Sequence, residues 1–441
     1  MRNTLKGTIR LICQECFVVA LSVLLGALLL ILSYALPTEV IKENVTRSVP
    51  VFQNEGVYPQ VIYGNQDSQL DNWTDALMLQ IAAEHDPTNI VRSAMLNTFP
   101  SITDLDPVES LIAIYNNQLE PEQTVSKADY GRYWHGYLIF LKPLLYIFDY
   151  QTIRYLIMFV QILLLAVIFV LLGRRNHGLL AFPLILMYLF CNPLVIMQSL
   201  QFSTAMTLVL LQIICFLLNE KEYLASSLYT ITHFVIFGCL TSYFDLLTYP
   251  LVSLGVPLAY FICISGPAQK FKSAFTKCVQ NTLAWGCGYI FMWAGKWVVG
   301  TLLTGQNIIS NALTQAAYRT SYSNPDEVFS YQDVVTSILR IPNSALVRLP
   351  IYVALIFVLL AIFRGLRQKR VAHFFVSVRM VAGTLVCVLL IAAAPFLWFA
   401  VFAEHSIWHA WFTYRELSIT VYCICACAAV LCSSTVYTPK K

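Results

Sequence analysis

Three carboxylates stand four residues apart in one stretch of the chain: Asp67, Asp71 and Asp75. On a helix that spacing places them on one face, where each like-charged pair costs roughly 0.2–0.5 kcal/mol. A face that carries such repulsion meets water or a cationic partner. It is either a solvated acidic surface or a group in which one carboxylate serves as a general base. Asp75 is the first choice for that base, because Trp73 and Leu77 would seat its helix against apolar neighbours, and Asp71 is the second. Farther on, residues 130–137 read Tyr-Gly-Arg-Tyr-Trp-His-Gly-Tyr and bring Arg132, Trp134 and His135 together between glycines. Such aromatics anchor chains at a membrane interface. An arginine and a histidine among them equally suit a phosphate, which a planar guanidinium grips through two parallel bonds, or a sugar, whose apolar face packs on rings.

Three more polar groups stand out. Tyr243 and Asp245 lie in 241–250 between two apolar runs, where an unpaired buried carboxylate is expensive, so a partner, a functional role or water at a helix end must satisfy Asp245. His405 and His409 are four apart and share a face if helical. That spacing suits two metal ligands, yet no HExxH motif or third ligand accompanies them, so no metal is expected, a divalent ion being the less favoured option. Arg415 heads the last apolar run, and Tyr318 and Arg319 in the preceding polar segment can add to the same site; a cation at this depth meets a lipid phosphate.

These groups need elements to hold them. Of the 441 residues 58% are apolar and 12% charged, about half the charge of an ordinary soluble domain, so lipid is the solvent for much of the surface. The reading is an all-α, polytopic bundle of about ten spans within one membrane domain, 1–441. Spans are expected at 11–36, 153–173, 178–197, 199–219, 224–241, 250–266, 280–303, 345–364, 381–402 and 417–436. The first is too long for a signal-peptide core and is read as retained. Threading from an inside N-terminus places Arg174/Arg175, Lys221, Lys270/Lys272/Lys277, Arg364/Arg367/Lys369/Arg370 and Lys440/Lys441 all in the cytoplasm, as the positive-inside rule expects. Both termini are then cytoplasmic and the polar chemistry lies outside a plasma membrane. The apolar stretch 133–148 contains Lys142 and Pro143 and is read as an interfacial or re-entrant helix, because counting it as a span reverses that charge pattern. It belongs to a long, acidic first outer loop, 37–152, in which Leu70, Trp73, Leu77 and Ile81 recur at helical spacing; 305–343 is a second outer loop.

The thirteen cysteines fall in or beside apolar runs, which suits small hydrophobic side chains better than a disulfide framework, and Cys423, Cys425 and Cys427 lack the spacing of a helical metal site. The triplets at Asn44 and Asn72 match the glycosylation pattern, a weak signal. No P-loop, dinucleotide fingerprint or nucleophile elbow is present, which leaves a nucleotide-driven pump or serine hydrolase unsupported. The lipid bilayer is the expected partner, and no nucleic acid is expected.

A first helix, a long acidic outer loop with surface helices, and then many spans: this layout resembles the GT-C superfamily of integral membrane glycosyltransferases. The strings Leu70-Asp71-Asn72-Trp73-Thr74-Asp75, Arg132-Tyr133-Trp134-His135-Gly136 and His405-Ser406-Ile407-Trp408-His409 look like segments of bacterial multi-span proteins of that kind. The resemblance implies a sugar donor on polyprenyl phosphate, transfer with inversion on the outer face to a glycan, lipid or protein acceptor of the cell envelope, and a first-loop carboxylate as base. On this sequence the base falls to Asp75 or Asp71, and the donor phosphate to Arg132, Arg415 or both. In many such enzymes the key carboxylate follows soon after the first span, whereas here the acids come about 30 residues later. A transporter or flippase of a lipid-linked glycan, or a non-catalytic assembly factor, is the competing reading. Transport calls for a polar path through the bundle, and Lys296, inside an apolar run, is the main candidate for one.

Overall fold

Backbone surrounded by hydrocarbon must satisfy its own hydrogen bonds, and the apolar runs of this chain do so as helices. The computed structural model describes residues 2–266, 268–325, 327–368 and 371–434; Lys369, Arg370, Lys440 and Lys441 of the basic pattern lie outside them. The helices are α1 (Arg2–Ser33), α2 (Glu39–Glu55), α3 (Asn72–Ala83), α4 (Ile90–Leu96), α5 (Pro107–Tyr115), α6 (Leu138–Ile147), α7 (Tyr150–Arg174), α8 (Ala181–Phe190), α9 (Pro193–Ile196), α10 (Leu200–Leu218) and α11 (Glu220–Ala225). There follow α12 (Ser227–Phe244), α13 (Val252–Ile264), α14 (Phe271–Thr304), α15 (Ile308–Arg319), α16 (Tyr331–Arg340), α17 (Ala345–Gln368), α18 (Val371–Ala392), α19 (Ala394–Val401), α20 (Ala403–Trp408), α21 (Ala410–Thr413) and α22 (Ser418–Ser434). One antiparallel ribbon pairs β1 (Phe99–Ile102) with β2 (Val125–Ala128).

Seven of these helical stretches are long and apolar enough to cross a membrane, at Ile9–Ser33, Tyr150–Arg174, Leu200–Leu218, Ser227–Phe244, Ala345–Arg364, Val378–Val401 and Ala410–Cys432. This is a helical membrane protein. Its outer faces carry the expected apolar side chains: Leu24, Phe159, Ile290 and Leu359 are each more than half exposed. The stretch expected to span at 178–197 breaks at Asn192, whose φ is +60°, and α13 has only 13 residues. α14, the longest helix at 34 residues, mixes its apolar residues with Lys, Gln, Asn and Gly.

Two helices approach unusually closely. A methyl group added at Gly238 of α12 would lie 2.1 Å from the Trp285 carbonyl oxygen of α14, and one at Gly288 of α14 would lie 2.2 Å from the Val235 carbonyl oxygen of α12. Only glycine permits this contact of backbone on backbone, the same use of small residues that joins many membrane helices.

Residues 37–150 form a cap over one end of the bundle, the end where α1, α12 and α14 finish and α7, α10 and α17 begin. The loop is largely helical, as its periodicity predicts. One local expectation fails and one boundary moves. The acids do not share a helix face: Asp67 lies in a 3₁₀ turn (Gln66–Ser68), Asp71 is the N-cap of α3, and only Asp75 lies within it. Leu70 likewise falls outside α3. The stretch 133–148 is helical only from Leu138; at ten residues, about 15 Å, it reaches half of a roughly 30 Å hydrocarbon core. Its first part turns at His135, whose φ of +52° is in the left-handed region, and Gly136 packs so tightly on Tyr243 that an added methyl would overlap the ring.

Candidate functional site

Charge placed near a bilayer must be compensated, and much of the compensation here is by helix ends. Three buried acids accept N–H bonds at the starts of helices remote in sequence. Asp67 Oδ2 takes the amides of Asn343 and Ser344 (2.7 and 2.6 Å) ahead of α17. Asp75 takes those of Leu200 and Gln201 (3.0 and 3.3 Å) at the start of α10. Glu416 takes that of Leu251 (3.1 Å) ahead of α13. Two buried lysines do the converse. Lys142 Nζ bonds the Ala82 carbonyl (2.7 Å) at the end of α3, and Lys296 Nζ bonds the Met95 carbonyl (2.9 Å) and Asn97 Oδ1 (3.1 Å) at the end of α4. Anion at the N-terminus and cation at the C-terminus is the pairing that the helix dipole favours. Lys296, the residue that could have marked a transport path, is thus one of the ties between cap and bundle.

Asp75 is the most heavily bonded of the predicted catalytic residues. Besides the two amides, its carboxylate accepts the Tyr150 hydroxyl at 2.6 Å and lies 3.4 Å from Ser199 Oγ. Tyr150 in turn accepts from Arg154 Nη2 (2.9 Å), which also bonds Asn72, while Arg154 Nη1 pairs with Glu55 at 2.7 Å. Burial raises the Asp75 carboxyl pKa, against the pull of Tyr150 and Arg154. Among the described residues the Asp71 carboxylate is bonded only to Thr74, through its backbone N–H (3.0 Å) and hydroxyl (2.8 Å). Burial lifts its carboxyl to about 7 despite those bonds, with the charge of Asp75 adding to the rise. Glu55, Tyr150 and Arg154 were missed in the sequence, although an arginine four residues into an apolar run is a signal in itself. The glycosylation triplets lead to side chains engaged in the interior: Asn44 bonds the Leu145 carbonyl, and Asn72 bonds Glu55 and the Gly56 carbonyl.

The predicted donor-binding residues divide into three groups. Arg132 and Arg319 line one cleft with Tyr133, Leu247, Trp293, Trp297 and Phe402. The Arg132 guanidinium lies 4.2 Å from the Tyr130 ring centroid and 5.5 Å from that of Tyr133, and its carbonyl accepts the Trp297 indole N–H at 2.9 Å. Arg319 pairs with the buried Glu404 at 3.1 Å, and His409 Nε2 lies 3.4 Å from the same guanidinium nitrogen. The rings of His405 and His409 stand 4.8 Å apart, as their spacing predicts. Among the described residues no group of three or more His, Cys, Asp or Glu side chains is arranged to hold a metal.

A second group shapes the wall behind. His405 Nε2 bonds the carbonyl of Leu247 (2.7 Å), a residue held at φ +65°, and Asp245 accepts the Thr248 N–H (2.9 Å) in the same turn. Burial raises the Asp245 carboxyl to about 7. Trp134 donates to the Met292 carbonyl (2.8 Å), Tyr243 to that of Gly26 (2.8 Å), and His135 sits between the Tyr130 carbonyl and the Tyr137 hydroxyl at 2.9 Å each. These three are packed inside. Burial and the charge of Lys296 push the His135 pKa down to about 3, so it is neutral.

Arg415 forms the third group and corrects an expectation. Its guanidinium is fully buried and spends its donors on the carbonyls of Cys191, Trp411 and Asp67 (2.9, 3.3 and 3.4 Å), between the rings of Phe202 and Tyr414. It does not line the cleft. Arg319, expected only as an addition, is the arginine that joins Arg132. Neither Asp71 nor Asp75 lines the cleft in this conformation.

Beside the cleft runs an apolar groove of about 520 Å³ between α13, α14, α18 and α19, lined by residues such as Leu254, Leu258, Val279, Leu390 and Leu397. Phe402 is a wall common to the apolar groove and to the cleft that holds the two guanidinium groups. Comparison with protein-family models, with characterised proteins and with solved structures finds no match for this chain.

Proposed function

We propose that this chain is a membrane glycosyltransferase of the GT-C kind, moving a sugar from a polyprenyl-phosphate donor to an acceptor of the cell envelope on the outer face of the plasma membrane, with inversion. The observation that carries the reading is the meeting, at Phe402, of the apolar groove and the Arg132–Arg319 cleft. An amphiphile with a long hydrocarbon tail and a phosphate head matches both halves. The bundle crosses the membrane about ten times, α14 among its spans, with both termini in the cytoplasm. The described basic groups Arg174, Arg175, Lys221, Lys270, Lys272 and Lys277 lie at helix ends opposite the cap, in keeping with an inside location.

In the reaction an acceptor hydroxyl gives its proton to a first-loop carboxylate as its oxygen bonds the anomeric carbon. The bond from that carbon to the phosphate oxygen breaks, and the electron pair leaves with the phosphate. Arg132 and Arg319 stabilise the charge that develops there. Asp71 suits the base better than Asp75. The oxygens of Asp75 are filled by four donors, whereas Asp71 has one residue as its partner and a carboxyl that titrates near neutrality. Burial raises the pKa of Tyr58, with the charges of Asp71 and Asp106 adding to the rise, and Tyr58 packs edge-on against Trp411, two residues beyond His409. The cleft is narrow, about 30 Å³, so donor binding requires that it open on entry of the head group.

The test is a transfer assay on purified protein in lipid, with a panel of radiolabelled polyprenyl-phosphate sugars and varied acceptors. Turnover by wild type and its loss in Asp71→Asn supports both class and base. Turnover that survives Asp71→Asn and disappears in Asp75→Asn returns the base to Asp75. Folded protein that turns over no donor defeats the reading and favours transport or scaffolding.

A further inference from the structure

The charges around the cleft are unequal in a way that bears on which phosphate it admits. Arg132 has no carboxylate within ion-pair distance among the described residues; its guanidinium rests on the rings of Tyr130 and Tyr133. Arg319 is already paired. Glu404, 1% exposed, holds Arg319 Nη1 at 3.1 Å, and its own backbone N–H is tied to the Ser321 carbonyl at 3.0 Å. His409 adds no charge, because burial and the neighbouring Arg319 hold its pKa down at about 3; its Nε2 faces Arg319 as an acceptor. Among the described residues no acid lines the cleft itself, and its remaining walls are aromatic and aliphatic apart from Gln315. The cleft therefore offers one net positive charge in surroundings of low dielectric, where an unmatched charge is costly.

Building on the donor reading above, we propose that Glu404 is a specificity-determining residue: by neutralising Arg319 it tunes the cleft to a head group of one negative charge, a phosphodiester, and against a diphosphate. A sugar joined to a lipid through one phosphate carries a single charge, matched by Arg132 while Arg319 contributes directed N–H bonds. A sugar joined through a diphosphate carries two and leaves one unmatched beside Glu404. Discrimination here comes from a repulsive element built into the wall as much as from the attractive one.

The experiment measures binding and not transfer, so that it fails separately from the functional reading. Trp293 and Trp297 line the cleft, and their fluorescence reports its occupancy. Purified full-length protein in nanodiscs is titrated with polyprenyl-phosphoryl-glucose, with polyprenyl-diphosphoryl-glucose of the same chain length, and with inorganic phosphate. Wild type is expected to bind the monophosphate-linked lipid at least tenfold more tightly than the diphosphate-linked one, and inorganic phosphate far more weakly than either. Glu404→Gln, which frees the second positive charge and keeps the side-chain shape, is expected to erase or invert that ratio. The double variant Glu404→Gln/Arg319→Gln, again with one cation, is expected to restore a preference for the single charge. Thermal unfolding of each variant establishes that it is folded. An unchanged ratio in Glu404→Gln overturns the proposal and leaves the donor reading standing. Equal binding of inorganic phosphate reduces the cleft to a plain anion site and overturns it too, and absence of binding by either lipid to wild type overturns both.

Discussion

Replacing Asp75 separates a structural carboxylate from a catalytic one. In Asp75→Ala, the amides of Leu200 and Gln201 lose their acceptor at the buried start of α10, a capping loss of about 1–2 kcal/mol. The Tyr150 hydroxyl loses a 2.6 Å bond to a carboxylate, about 1.5–3 kcal/mol for a charged partner. Release from burying the carboxylate offsets part of this, and Arg154 keeps Glu55 and Asn72. The net destabilisation is expected at roughly 3 kcal/mol, within the range for breaking a buried polar group's partners. Asp75→Asn keeps an oxygen for the amides and should lose about 1 kcal/mol. Tyr150→Phe removes one shared bond, so its effect and that of Asp75→Ala should sum to more than the double variant shows. Intrinsic fluorescence during heating of protein in detergent reads the order Ala, then Asn, then wild type, at roughly 2–4 °C per kcal/mol. Abolished transfer in Asp75→Ala with an unfolding midpoint equal to wild type would refute the reasoning, because the carboxylate would then be serving chemistry and not the helix.

The Asp71 carboxyl titrates near 7 in the folded chain and near 3.9 when unfolded. Between those values the unfolded chain binds fewer protons, so stability falls as pH rises from about 4 to 7; unfolding midpoints across that window should show a shallower decline in Asp71→Asn. If Asp71 is the base, transfer by wild type rises with pH through about 7, and a rate independent of pH there excludes it. Arg319→Gln should lower kcat/KM for a lipid-phosphate donor by about 10–100-fold, the worth of one charge-assisted bond, and should also lower the unfolding midpoint, because it leaves the buried Glu404 without its ion-pair partner. Gly288→Leu forces α12 from α14 and should reduce the yield of folded, monodisperse protein in size-exclusion chromatography, whereas Gly286→Leu, whose added carbon meets nothing within 4 Å, should not.

The helical membrane class was plain from composition, because 58% apolar residues in long runs have no soluble counterpart. Local spacing was informative where the contact itself is local, as with the adjacent rings of His405 and His409. It misled at Asp67, Asp71 and Asp75, where a repeat of four outweighed a cap signal: Asp71 three residues before Thr74 is an N-cap pattern, and a cap starts a helix instead of sitting inside one. The remainder depends on partners that no window contains. Asp75 serves an amide 125 residues away, Asp67 one 277 away, and Glu404 reaches Arg319 across 85. Arg415 illustrates the cost: an arginine heading an apolar run reads as a ligand site, yet its donors go to one carbonyl a turn away and two brought in from remote segments.

The direction of those long-range caps matters when the chain is made from its N-terminus. Asp67 and Asp75 precede the helices they serve, so the cap can be folded and waiting when α10 and α17 leave the insertion machinery. Glu416 is the reverse: it serves the amide of Leu251, synthesised 165 residues earlier. Until the last span arrives, α13, short and carrying Pro257, has an open end. A nascent chain stopped before residue 416 should therefore hold α10 inserted but leave the N-terminal end of α13 open to a water-soluble thiol reagent, read at a Leu251→Cys substitution, and completion of the C-terminal span is the event that closes that end.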